Sequence, residues 1–525
     1  MALNSVHPRY AELVPEWVRL RDFVKGERAV KNKTTEYLPA TKGMILDGMG
    51  TTASGKPKVG QEVYDAYLMR AVFPEYIADA LEIFMGMLHN KSAVIELPPE
   101  LEYLRDNATE LGEPLEILLQ RINQEQLTTG RLGLLADMPK NPDPLNPEPF
   151  IALYVAEAIR NWDVTPVKEE RAELNLVILD ESRFEMDDNF NWQTLYRYRV
   201  LRMDKRFDET SGRLLSSTYL CGAFSSLGAT PGYDPEQMFA PMLRGVEQPS
   251  IPFVFVNSKD ITADPDEPPL NPLARLCGAI YRGEADYRQN LFMQGQDTLV
   301  IIGDRIKPLE NDPTKDEPLR TGAGSRIELE QGGDAKYVGV QSQGLTEQRY
   351  ALENDRKRAE SRSGQLIDAA KGQKESGTAL KTRVGAQTAT LNQIAKTGAL
   401  ALELILKKIA FWKGADPAKV KVTPNLEFAD YQMSGQDLVN LMTAKRTGGA
   451  PLSEESIHRL MVQGNLTQFD YVTEQEKIKG EEPFETPEAK LARELAEKKA
   501  TTDTGDSVSN PGPAPADPAN PAPVE

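Results

Sequence analysis

Gly50-Thr-Thr-Ala-Ser-Gly55-Lys56 fits the first seven positions of a phosphate-cradling P-loop. In such a loop the backbone N–H groups and the lysine hold phosphates, and a Ser or Thr at the eighth position holds Mg²⁺. The eighth residue here is Pro57, which has neither a hydroxyl nor an N–H. The loop also needs a buried strand before it and a helix directly after it. Met44-Ile-Leu is too short for the strand, and helical periodicity begins only near Glu62. Gly48, Gly50 and Ala53 fit the looser G-x-G-x-x-A pattern and fail for the same reason. A flexible Gly/Thr loop is the better reading.

Other chemistry is sparse. His7, His89 and His458 are isolated, and no Cys or His has metal-ligand spacing, so neither a metal nor a cofactor is expected. His89 ends an apolar helix, where a contact with the C-terminal dipole is the ordinary role. No G-x-S-x-G elbow occurs. The carboxylates are many, but no spacing singles out a catalytic pair. The alternating charges from Glu474 to Lys499 describe a solvated helix face. Nothing argues for an enzyme.

The chain has 525 residues, 40% of them hydrophobic, and a formal net charge of −18. That length predicts two to four domains. The acidic balance argues against gripping nucleic acid by phosphate neutralisation, though not against a surface that DNA slides past. Cys221 and Cys277 do not make a disulfide framework and suit a reducing compartment. Met1 to Tyr10 has no apolar signal region. No apolar run spans a membrane; the nearest, Ala399 to Trp412, is interrupted by Glu403, Lys407 and Lys408.

The elements follow from periodicity. Residues 1–60 read as an irregular arm with a short helix around Pro15 to Val24. Glu62 to His89 reads as one helix with an apolar side, Leu101 to Thr129 as one or two more, and Ile151 to Trp162 as helical. Between them, the prolines from 139 to 149 make a loop. From Leu174 the period becomes that of strands: Leu174 to Leu179, Thr194 to Leu201 and Ile251 to Val256. A helix is expected from Leu273 to about Met293. Short strands follow at Thr298 to Ile302 and Tyr337 to Val340.

Two long helices then dominate. The first, Thr346 to Asp368, is polar nearly all round. It carries Arg349, Glu353, Asp355, Arg356, Lys357, Arg358, Glu360 and Arg362, with only Leu352, Leu366 and Ile367 apolar. Arg349–Glu353, Glu353–Lys357 and Arg356–Glu360 have i,i+4 spacing. The second, Ser376 to Trp412, keeps a three/four apolar spacing and is apolar on most sides from Ala399 onward. At 1.5 Å per residue the two helices are roughly 35 and 55 Å long. A polar helix of that length suggests a partner that is another copy of the chain. The same pattern also fits an ordinary buried helix following an exposed one. Gly435 to Thr447, Ser453 to Gln463 and Asp470 to Lys479 read as short helices, with Ser453 an N-cap. From Thr501 the composition predicts disorder.

Several stretches, in order, resemble the portal proteins of tailed bacteriophages. They are closest to a subfamily long catalogued only as a domain of unknown function. The matching segments are Tyr64-Asp-Ala-Tyr-Leu-Met-Arg-Ala-Val-Phe, Thr128-Thr-Gly-Arg-Leu-Gly-Leu-Leu-Ala-Asp-Met-Pro and Tyr154-Val-Ala-Glu-Ala-Ile-Arg-Asn-Trp162. Pro268-Pro-Leu, Tyr281-Arg-Gly-Glu-Ala-Asp-Tyr287 and Glu375-Ser-Gly-Thr-Ala-Leu-Lys-Thr-Arg383 complete the set. The likeness covers about 60 to 480.

The resemblance implies an α+β fold, mainly α, that assembles as a ring, usually of twelve subunits. It implies an N-terminal arm (1–60), a wing (61–265) and a first stem helix (266–295). A clip (296–344), a second stem helix (345–368), a tunnel loop (369–376), a long wing helix (377–424) and a crown (425–500) follow, then the tail (501–525). Lys371, Gln373 and Lys374 of the tunnel loop would face DNA in the channel. Arg349, Glu353, Arg356, Lys357 and Glu360 would lie between neighbouring stems. The implied partners are double-stranded viral DNA, the large terminase subunit, head–tail adaptors, and capsid and scaffolding proteins, with no membrane. The implied place is the capsid vertex of the virion, assembled in the host cytoplasm. Another head–tail connector ring component, or a P-loop nucleotide enzyme built on Lys56, are the alternatives.

Overall fold

The computed structural model of the chain describes residues 3–139, 148–165, 173–208, 214–243, 246–295, 298–302, 329, 331–338, 344–363, 377–426, 428, 442–443, 445, 453–463, 467 and 469–480. Two compact units result, Met1–Phe428 and Ala429–Glu525.

The first unit begins with α1 (Pro8–Val24), α2 (Glu27–Asn32), α3 (Lys42–Leu46), α4 (Val59–Arg70), α5 (Tyr76–Leu88), β1 (Val94–Glu96) and α6 (Leu115–Thr128). Strands follow: β2 (Arg131–Asp137), β3 (Phe150–Val155), β4 (Ile159–Asp163), β5 (Leu176–Asp180) and β6 (Arg183–Met186). Next come β7 (Trp192–Phe207), β8 (Leu214–Leu227), β9 (Met242–Leu243), β10 (Val246–Glu247) and β11 (Phe253–Asn257). The unit ends with α7 (Asn271–Gln294), β12 (Thr298–Ile302), β13 (Asp334–Val338), α8 (Gly344–Ser363), α9 (Gly377–Lys413) and β14 (Lys421–Thr423). All the pairings are antiparallel. β11, β2 and β3 form one sheet, and β4, β5, β7 and β6 form another, with β8 on β7.

The mixed α and β character agrees with the expectation from sequence. Three cores organise the unit. The helical core joins α1, α4, α5, α7 and α8 through Leu20, Phe23, Tyr64, Ile77, Tyr281 and Leu352. A second core packs α6 and the C-terminal half of α9 onto the three-stranded sheet, with Ile122, Leu134, Val256, Leu402 and Ile405. The third lies around Trp17, Trp162, Leu201 and Phe255.

Where α6 crosses α9, Gly398 lets the helices touch. A Cβ there would lie 2.6 Å from Asn123 Oδ1 and 2.7 Å from Gln126 Oε1.

The structure corrects several sequence readings. Ile151 to Trp162 is not helical: it is β3, a turn at Ala156–Ala158 and β4. Its apolar residues suit either period over so short a run, and pairing with β2 and β5 settles it as strand. Glu62 to His89 is two helices, because Phe73 precedes Pro74 and a pre-proline residue disfavours helical angles. The arm is more ordered than read. α1 starts at Pro8, a favoured first-turn residue, behind His7, whose ring accepts the Arg9 N–H at 3.2 Å. Trp17, Leu20 and Phe23 are buried core. The helix from Leu273, the strand at 298–302 and the helix through Trp412 lie where the sequence places them, while the strand expected from Tyr337 begins three residues earlier, as Asp334–Val338. Along α9, Ala401, Leu402, Ile405 and Ile409 are buried, but Leu400 and Phe411 face outward.

The second unit contains α10 (Glu454–Gln463) and α11 (Tyr471–Gly480). Ser453 caps α10, its Oγ accepting the Ser456 N–H at 3.1 Å. The helix read over Gly435 to Thr447 and the tail from Thr501 lie almost wholly outside the described residues.

Candidate functional site: the α7–α8 helix pair

The Gly50 to Lys56 segment is not built to hold phosphate. The amides of Gly50, Thr52, Gly55 and Lys56 are already engaged. The Thr52 N–H donates to Lys56 O at 2.7 Å, the Gly55 N–H to Thr52 O at 2.9 Å, and the Lys56 N–H to Thr52 Oγ1 at 3.2 Å. The Lys58 N–H donates to Gly50 O, and the Gly50 N–H to Gln61 Oε1. Thr51 bridges Pro57, and no strand precedes.

The other titratable candidates are structural. His89 caps α5; its ring meets Asn123 Nδ2 at 3.1 Å, and burial lowers its pKa. That pairing with a buried amide replaces the expected dipole contact of a charged ring. Both cysteines are free thiols, and burial pushes Cys277 up to about 12, so neither is activated. Arg131 is fully buried between Trp162 and Phe255, 4.2 and 4.7 Å from their rings, and donates to Ala263 O at 2.6 Å. Burial pulls its pKa down to about 9, against the pull of Asp264 and Asp266. Among the described residues no group of His, Cys, Asp and Glu could hold a metal. None of the described helices is long and apolar enough to cross a membrane.

The polar helix α8 finds a narrow seat along its own chain. Leu352, Ala359 and Ser363 are buried, one side of the helix only. Leu352 rests on Gly283 of α7, where a Cβ would lie 3.1 Å from Leu352 Cδ2. Arg356 reaches across α7 and donates to Glu284 Oε2 at 2.6 Å, instead of following its i,i+4 spacing to Glu360. Glu360 accepts a hydrogen bond from Tyr76 of α5, and burial followed by this carboxylate raises the tyrosine pKa. Of the three spaced pairs read from sequence, Arg349–Glu353 closes, at 2.9 Å. This bond lowers the Glu353 pKa.

Sequence reading missed Glu284. The signal was present: it sits on the stripe Cys277, Ile280, Tyr281 and Ala285, all buried, where a carboxylate needs a partner. One partner, Arg288, lies four residues on along the same helix, at 2.7 Å; the other, Arg356, lies 72 positions away and is supplied only by folding.

Away from this seat the pair is exposed. Arg349, Tyr350, Lys357 and Arg358 of α8 face outward, and so do Leu291, Phe292 and Met293 at the end of α7. From that end the chain continues into the β12–β13 ribbon. Lys371, Gln373 and Lys374 lie outside the described residues.

Residues 269–413, from the start of α7 to the end of α9, match a family described as Domain of unknown function (DUF4055). No curated protein matches the chain. Among solved structures, the chain is similar to one in the neck of a native GTA particle computed with C12 symmetry. The TM-score is 0.33 and the identity 15%, over 80% of this chain and 98% of that one. It is similar also to one in the neck of an empty GTA particle computed with C6 symmetry, with TM-score 0.33 and 14% identity over 81% and 98%. At that score the two likenesses carry no argument.

Proposed function

We propose that this chain is the subunit of a portal ring, set at one vertex of a tailed-phage head, through which double-stranded DNA is packaged and released. One observation carries the reading: α7 and α8 form a pair seated by a thin apolar stripe, with charged and apolar side chains left exposed outward, Phe292 covered on one face by Arg70. Leu291, Phe292, Met293 and Tyr350 are exposed together with Arg349 and Lys357. A monomer gains nothing from this arrangement. Neighbours in a ring would cover the apolar residues and pair the charged ones. In this reading α7 and α8 are the stem helices, the β12–β13 ribbon belongs to the clip, and α9 is the long wing helix. Arg349, Glu353 and Lys357 face the next stem, while Arg356 and Glu360 hold α8 to its own chain. Lys371, Gln373 and Lys374 line the channel. The acidic balance of the chain as a whole, −18, would let DNA slide rather than stick. The terminase ATPase and the head–tail adaptors are separate chains that dock on the clip end.

Negative-stain images of the purified protein test this directly. Rings with a central channel are expected. Monomers at every concentration and salt would reject it. A ring that forms but does not nucleate capsids would favour a different connector component.

A further inference from the structure

Residues 3–7 lie as a strap along β4, an edge strand, and His7 fastens them. The His7 N–H donates to Arg160 O of β4 at 3.0 Å. Its ring stacks on Trp162 of the same strand, with centroids 4.0 Å apart and planes inclined by 17°. Through Nδ1 it also accepts the Arg9 N–H at 3.2 Å, capping α1. Upstream, Ser5 Oγ accepts from Asn161 Nδ2 at 3.4 Å. Leu3, 2% exposed, packs with Ile178, Tyr198, Val200 and Phe224. A cavity of about 560 Å³ has Leu3 and Ser5 in its wall, with Leu176, Ile178 and Val200 of the sheet.

We propose that His7 is a pH-sensitive latch: neutral, it holds the strap on β4; protonated, it releases residues 3–7 and uncovers the sheet face under Leu3. The proposal stands apart from the ring reading.

The geometry suits a neutral ring. A protonated imidazole donates from both nitrogens, so Nδ1 could no longer accept the Arg9 N–H. Its charge would sit at the N-terminus of the 17-residue α1, the positive end of the helix dipole. A cation on a tryptophan face is ordinarily favourable. The Trp162 ring already serves Arg131, whose guanidinium carbon lies 4.2 Å from its centroid. Arg131 is fully buried, and its Nε and Nη2 have no partner, so its charge is poorly screened. Burial leads in holding the His7 pKa below the ordinary 6.5, and Arg131 of β2 and Arg9 of α1 add to it. Asp264, in the loop from β11 to α7, and Asp163 of β4 oppose them. Arg160 turns its own guanidinium to Asp180. Released into water, the ring regains its ordinary pKa, so falling pH favours release.

Hydrogen exchange of the full chain, read by mass spectrometry and corrected for the intrinsic effect of pH, tests this. Between pH 7.5 and pH 5, protection of residues 3–10 should fall by roughly three- to tenfold while that of β2 holds. Deuteration of the His7 ring at Cε1, followed in the same peptides, gives that residue's own titration. Its midpoint should lie below 6.5 and coincide with the loss of protection. His7→Asn keeps a capping acceptor but takes no proton, so the pH response of the strap should vanish. His89→Gln should retain it. Strap protection that does not change with pH in wild type overturns the proposal. So does a response that survives in His7→Asn, or a His7 midpoint at or above 6.5, since acid would then tighten the latch. Should the Asn variant be loose at every pH, coincidence of the two wild-type midpoints decides.

Discussion

Glu284 of α7 and Arg356 of α8 are joined by a 2.6 Å hydrogen bond, and the carboxylate side chain is 6% exposed. Arg288 holds the other carboxylate oxygen at 2.7 Å. With Leu352 and Ala359, this pair is what fastens a polar helix to the body. Arg356→Ala should cost about 1–2 kcal/mol, less than for a fully buried pair, because Arg288 remains and the guanidinium is half exposed. Urea unfolding measures the loss. Hydrogen exchange over 344–363 should quicken more than exchange in α7; equal protection in both proteins would mean that the bond does not seat α8.

Gly398→Ala should destabilise the first unit by about 1–3 kcal/mol, the usual range for overpacking. The added methyl has Asn123 and Gln126 amide oxygens in its way, and both belong to a helix fixed on the sheet. Thermal melting of the variant tests this. No change would mean that α6 and α9 can part cheaply.

Acid should weaken the fold through His89. Burial holds its pKa below the ordinary 6.5, with Glu116 opposing. Below about pH 6.5 the unfolded chain therefore takes up a proton that the folded chain refuses. The stability is full above that pH and is lost as pH falls through the folded value. His89→Gln should show a smaller drop in melting temperature between pH 7.5 and pH 5. An identical drop would assign the acid sensitivity to other groups.

Lys56→Ala should leave nucleotide binding and hydrolysis where wild type has them, at background. The loop amides already donate to its own carbonyls and hydroxyl. ATP hydrolysis by wild type that this variant abolishes would sink the non-enzymatic reading.

Replacing Lys371 and Lys374 with Glu should spare assembly and reduce packaging or retention of DNA. On the proposed ring reading the reversal of charge would be repeated in every subunit and felt within about 8 Å, mainly by DNA inside the channel. Virions with both substitutions and a full genome content would remove these lysines from the mechanism.

Periodicity alone located α7, α9, the strands β5, β7 and β11 and the cap at Ser453, because in each case one local pattern coincides with the buried face, but it passed over β6 and the long β8. It also showed that α8 has almost no apolar side and that the Gly50 loop lacks its Mg²⁺ ligand. These are statements about which atoms a residue has, and composition suffices for them. It failed at Ile151 to Trp162, where spacing suits both periods and only pairing with β2 and β5 chooses. At α1 it finds the stretch from Pro15 to Val24, which holds the core-facing Trp17, Leu20 and Phe23, but misses the seven residues from Pro8 that begin the helix.

What folding alone decided are the relations across long separations. Arg356 has Glu360 in helical reach, yet turns to Glu284 because a buried carboxylate on α7 gains more from a cation than a half-exposed one does. Gly283 and Gly398 become contact points only once a second helix lies on each. The tip of the β6–β7 hairpin reads as ordinary strand and turn until the sheet leaves one face of Phe184 and Trp192 with nothing against it. A sequence carries the side chains and their local order; which of them meet depends on how distant segments share the limited buried surface.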